Sequence, residues 1–169
     1  MGSRGILVVD CPATKSYIKR YLQAQKMNIP ETSEDFKIEF YSSIDFFDKI
    51  GDLRIRQFMN RLNKVSDKII VGGIIKVFEN KMRPETEYTD QKYAGKILEK
   101  LKPKSDLDLL KVLKSTIENW NKSVEEFPFW IKENYGIEQV KNKLNEYETQ
   151  NLNETESDKL KTIKWWLKI

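Results

Sequence analysis

The stretch Ile69-Ile-Val-Gly-Gly-Ile-Ile-Lys-Val-Phe78 decides between two architectures. Read as a hairpin, Gly72–Gly73 is a two-residue turn between short strands at 69–71 and 74–78, since paired glycines supply the positive-φ geometry such turns require. Read as a helix, the same residues form one buried rod that carries two glycines, each costing about 1 kcal/mol relative to alanine. The helix is preferred because the run continues into Val77-Phe-Glu-Asn-Lys-Met82 without a turn signal. The hairpin would place a β wing beside an arginine-rich helix, an arrangement that reads nucleic acid. The helix makes the chain mainly α.

Immediately upstream, Ile55, Phe58, Met59 and Leu62 fall in a narrow sector at about 100° per residue and predict a helix from Leu53 to Lys64. Arg54 and Arg61 lie on one flank of that apolar spine and Arg56 on the other. Before it, Ser42 or Ser43 offers an N-terminal cap for a short helix that stops at Gly51. Phe36, Ile38 and Phe40 alternate with Lys37, Glu39 and Tyr41, the pattern of a strand with one buried face. Gly5-Ile-Leu-Val-Val-Asp10 reads as a second, buried strand, followed after Pro12 by a helix bearing Tyr17, Ile18, Tyr21 and Leu22 on one stripe.

Downstream the pattern is helical throughout. Tyr93, Ala94, Ile97, Leu98 and Leu101 share a face, and Pro103 with Ser105 marks a break and a fresh cap. Leu109, Leu110, Leu113, Ile117 and Trp120 recur at helical spacing. Ser123 and Glu126 match a capping box before Pro128, Gly136 separates a further helix with Ile137, Val140, Leu144 and Tyr147, and Gln150–Ser157 reads as a polar linker to a terminal helix. The expected fold is therefore mainly α, a helical bundle-like protein with a small N-terminal α/β element. The loop Met82–Thr89 divides a basic, mixed α/β or helical subdomain at residues 1–86 from a helical bundle subdomain at 87–169.

The chain has 169 residues, no histidine and one cysteine, Cys11. That composition removes histidine-based triads, histidine-bearing zinc sites and an intrachain disulfide framework. Thr14-Lys-Ser16 lacks the surrounding glycines of a phosphate loop. No segment reaches 18 apolar residues and the start lacks a secretory leader, so a cytoplasmic or nucleoplasmic protein without a membrane partner is expected. Carboxylates at Asp10, Glu39, Asp45 and Asp48 keep a divalent-metal nuclease as a weaker alternative, but their spacing specifies no site. No catalytic residue, metal or cofactor is assigned, and intrinsic catalysis is not expected.

Charge points elsewhere. Residues 1–86 hold 15 basic and 11 acidic side chains, whereas residues 87–169 hold 15 of each. Two foci stand out: Arg54, Arg56, Arg61, Lys64 and Lys68 around the predicted helix, and Lys159, Lys161, Lys164 and Lys168 at the C-terminal end, where no acid intervenes. In the second focus Leu160, Ile163 and Leu167 form a buried stripe, and Trp165 projects roughly opposite it. Phosphate charge and unstacked bases suit that combination, so the expected partner is single-stranded DNA or RNA, held through Arg54, Arg56, Arg61, Lys64, Lys68, Lys161, Lys164, Trp165 and Lys168. The expected function is an accessory domain that positions the strand for a replication, repair or antiviral complex. A helical protein–protein assembly module, docking through Trp165, Trp166 and Ile169, is the alternative.

Overall fold

A computed structural model describes residues 27–169, and the strand and helix expected within 1–26 lie outside them. Among the described residues there are nine α-helices and no strand. They are α1 (Ser33–Ile44), α2 (Phe47–Ile50), α3 (Leu53–Arg61), α4 (Asp67–Glu79), α5 (Glu87–Leu101), α6 (Leu109–Thr116), α7 (Glu126–Tyr135), α8 (Ile137–Glu148) and α9 (Glu154–Leu167), with a 3-10 turn at Leu62–Lys64 after α3.

The deciding stretch is helical. In α4, Ile70, Val71, Gly73, Ile74, Val77 and Phe78 are buried, and the glycines are explained by close packing against α1. A Cβ on Gly73 would run into the Phe36 ring, and one on Gly72 would meet Ser33 Oγ. The helix gives up intrinsic propensity at these positions so that α1 can approach its backbone.

That neighbour corrects the expected α/β element. Residues 36–41 are not a strand but the middle of α1. Thr32 Oγ1 accepts the Asp35 amide at 3.0 Å while Asp35 Oδ2 accepts the Thr32 amide at 3.1 Å, a reciprocal cap that starts a helix. Phe36, Phe40 and Ser43 then share one helical face and are fully buried, whereas Ile38, which the alternating pattern placed with them, is 60% exposed. Ser42 and Ser43 lie inside α1 instead of capping α2, whose N-cap position is Phe46.

The helix over 53–64 is present, its last three residues tightened to 3-10. Phe58 meets Phe36 and Phe40 edge-on at 5.3 and 6.4 Å, so α1, α3 and α4 converge on one aromatic cluster. The buried core continues past residue 86: Phe78 lies 4.9 Å from Phe127, and Trp120 and Trp130 flank that ring. Both indoles are satisfied inside, Trp120 Nε1 donating to the Val124 carbonyl at 3.0 Å and Trp130 Nε1 to Pro103 at 2.8 Å.

Asp108, not Ser105, caps α6, and Ser123 does not cap α7, which begins at Glu126 and accommodates Pro128 in its first turn, where no intrahelical N–H is needed. Gly136 separates α7 from α8 at φ +81°. The expected linker at 150–157 is shorter than read, because Asn153 and Glu156 form a second reciprocal cap and start α9. Helix α9 packs on α7 and α8, and α3 packs on α1 and α2.

Candidate nucleic-acid interface

The C-terminal surface is built on α9. Leu160, Ile163 and Leu167 are buried against α7 and α8, which fixes the opposite side of the helix outward. Lys161 and Trp165, four residues apart, project from one sector, Lys168 follows exposed at the left-handed C-cap, and Trp165 is 68% exposed. Its ring is not loose. It meets Trp166 edge-on at 4.7 Å, Trp166 meets Phe129 at 6.2 Å, and Trp166 Nε1 donates to the Lys122 carbonyl at 3.2 Å. Phe129, Lys164, Trp165, Trp166, Lys168 and Ile169 together line a shallow open groove.

Cations surround this aromatic group unequally. Lys164 Nζ donates to Glu148 at 2.6 Å and to Asn145 at 2.9 Å, tying α9 to α8. Lys122 pairs with Asp158 at 2.7 Å. Lys161 and Lys168 have no carboxylate within ion-pair distance among the described residues. Lys159 donates to the Glu118 carbonyl at 2.6 Å; burial pushes its ammonium below the usual lysine range, and repulsion from Lys122 and Lys81 works in the same direction against the attraction of Glu87 and Glu118.

The first focus is less uniform than its sequence. Arg54 is 6% exposed: its guanidinium donates to Glu39 Oε1 at 2.8 Å, lies over the Phe46 ring at 5.0 Å, and leaves Nε without an acceptor among the described residues. Arg61 donates to the Met27 carbonyl. Arg56 is exposed but pairs with Asp52 at 2.9 Å. Lys64 and Lys68 remain exposed, and Lys68 borders a cleft of about 490 Å³ with Lys104, Val71 and Leu107. The two foci sit on different supports, α3 on α1 and α2, α9 on α7 and α8.

Lys104 and Lys100 are cations that sequence reasoning did not include. Lys100 Nζ donates to Asn60 Oδ1 at 3.0 Å, and the Lys104 amide donates to Asp67 Oδ2 at 2.8 Å. These contacts span about forty residues, so no local spacing announces them. Of the carboxylates considered for metal binding, Asp10 lies outside the described residues, Glu39 serves Arg54, and Asp45 accepts from Arg83 at 2.7 Å. Among the described residues no group of three potential metal ligands forms, and no helix is long and apolar enough to cross a membrane.

Comparison with protein-family models, with curated proteins and with solved structures finds no match to this chain.

Proposed function

We propose that the protein binds single-stranded nucleic acid, holding a DNA or RNA strand for a larger replication, repair or antiviral assembly without cutting it. The observation that carries this reading is Trp165, 68% exposed on an anchored helix with Lys161 one turn before it and Lys168 just after. A large aromatic held at a helix surface costs solvation and is normally turned inward. A base stacked on it recovers that cost, and nearby ammonium groups meet the phosphates. Lys161 and Lys168 supply the charge at this face, beside Lys164 in its pair with Glu148, and Arg56, Lys64 and Lys68 extend the contact at the other. Arg54 is assigned to the interior ion pair.

The test is titration of a labelled oligothymidylate or oligouridylate with folded protein at low salt. Trp165→Ala should weaken binding by about 1–3 kcal/mol, roughly a 5- to 150-fold loss, while Trp165→Phe keeps much of the affinity. Absence of binding at low salt refutes the reading.

A protein-docking reading has one observation in its favour. Phe129, Trp166 and Ile169 continue the apolar surface from Trp165 along the groove. It takes precedence if Trp165→Ala leaves strand affinity intact and abolishes capture of a defined protein partner.

A further inference from the structure

The edge where the end of α3 meets the start of α4 is more strongly cationic in space than in sequence. Lys64 lies in the 3-10 turn and Lys68 in the first turn of α4. The fold then delivers Lys100 from the last turn of α5, seated on Asn60, and Lys104 from the following loop, whose amide is tied to Asp67. Lys68 and Lys104 face the same cleft. All four side chains are exposed, and among the described residues none lies within ion-pair distance of a carboxylate.

The acids at this edge do not cancel them. Within the cleft Asp67, engaged by the Lys104 amide, and Asp106 balance Lys68 and Lys104, so the excess charge rests on Lys64 and Lys100 beside it. Ser66 gives α4 no side-chain cap, and the amides of Asp67 and Lys68 have no acceptor among the described residues, so the helix end adds partial charge of the same sign. The cleft has apolar walls, Val71 and Leu107, but no aromatic lines it. The surface therefore offers phosphate charge a partner and offers a base nothing to stack on.

We infer that Lys64, Lys68, Lys100 and Lys104 form a second, purely electrostatic contact for the phosphodiester backbone of a bound strand. This rests on the single-strand reading above and divides the labour within it: the α9 face stacks bases, and this edge holds phosphates without regard to sequence. Mixed lysines from two distant segments also fit an acidic protein surface, which the experiment separates.

The dependence of strand affinity on salt distinguishes the two faces, because each phosphate contact removed from a single strand lowers the slope of log K against log salt by about 0.7. Lys64→Gln with Lys68→Gln should lower the slope by about 1.4, as should Lys100→Gln with Lys104→Gln, and all four together by about 2.8. Glutamine at 100 keeps a donor for Asn60, and each double variant is checked for an unchanged melting curve, so the pairs report even if the fourfold variant does not fold. Trp165→Ala should lower affinity with little change of slope. The control removes two lysines elsewhere, Lys111→Gln with Lys114→Gln on α6, and should leave the slope alone. The inference is overturned if the fourfold or both double variants keep the wild-type slope while Trp165→Ala weakens binding, if the control lowers the slope equally, or if a polyglutamate chain displaces the strand from wild type but not from the double variants while their strand affinity is unchanged. Wild type that binds no strand overturns the single-strand reading and this contact together.

Discussion

Replacing Gly73 by alanine sets two effects of known size against each other in the helix that decides the fold. Alanine should stabilise a helix interior by about 1 kcal/mol relative to glycine. At Gly73 the added Cβ enters the Phe36 ring and comes within 2.8 Å of Phe36 Cβ. Phe36 has no exposed surface, stacks on Phe40 at 6.0 Å and meets Phe58 at 5.3 Å, so it has nowhere to move. Overpacking of this kind costs about 1–3 kcal/mol, and the rigid aromatic wall puts Gly73 at the upper end. The net loss is about 2 kcal/mol, a fall in Tm of about 4–8 °C for a chain of this size. Gly72→Ala is the internal comparison: it meets the Ser33 hydroxyl, which rotates, and Ser33 Cβ at 3.1 Å, so the propensity gain largely offsets the crowding. Thermal and denaturant unfolding of both variants, together with Gly73→Ala in a Phe36→Ala background, closes a double-mutant cycle. In that background the ring is gone and only the contact with the residue-36 Cβ at 2.8 Å remains, so alanine at 73 should cost less. If Gly73→Ala matches wild type, or costs the same with and without the Phe36 ring, the packing argument fails. If both alanines destabilise alike regardless of residue 36, a glycine turn is the better description of 72–73.

Three other outcomes follow from named contacts. Arg54→Ala should cost about 3–5 kcal/mol in denaturant unfolding, because it strands the buried Glu39 carboxylate; Arg54→Met with Glu39→Leu should recover most of that loss, and equal costs for both variants would contradict the ion-pair account. Asn153→Ala removes the acceptor for the Glu156 amide and should cost about 1 kcal/mol, with hydrogen exchange rising first at the start of α9; unchanged exchange there would show that the cap contributes nothing. Burial pushes the Tyr41 phenol from 10.0 up to about 12, and burial followed by the bond to Glu156 pushes Tyr147 upward as well. Both groups keep their proton in the fold where the unfolded chain has lost it, so the contribution is complete below pH 10.0 and is lost as pH rises, for Tyr41 through about 12. Unfolding free energy should fall across that window, and less steeply in Tyr41→Phe and Tyr147→Phe; a flat profile counts against it.

Much of the helical organisation is legible because its buried residues recur at helical spacing with few competing readings. Leu109, Val112, Leu113 and Ile117 admit no strand, and Gly136 marks a break that the backbone takes with positive φ. Caps were harder to place, since serine and threonine are common and the decisive partner is three residues away. Ser123 and Glu126 have the pattern without the bonds, whereas Thr32 with Asp35 and Asn153 with Glu156 have both. The exposed Trp165 was recoverable from α9 alone, because Leu160, Ile163 and Leu167 orient the helix without help from the rest of the chain.

The basic focus shows how one misread period moves charge as well as backbone. Positions 36 and 40 lie on one face in either a strand or a helix, so only 38 and 39 distinguish the two. Alternation turns Ile38 inward and Glu39 outward. The helix reverses them, leaving Ile38 in solvent and bringing Glu39 beside Phe36 and Phe40 at the interface with α3. A carboxylate buried there needs a cation, and Arg54 is the one α3 presents. The arginine thus leaves the surface because of a residue fifteen positions earlier whose orientation depends on the Thr32 cap. Lys100 and Lys104 join the other end of this focus, where α3 meets α4, through contacts with Asn60 and Asp67 that no local pattern contains. The charge of this basic focus is consequently set by tertiary packing. One arginine is withdrawn by the helix that replaced the expected strand, and two lysines are supplied from the other half of the chain.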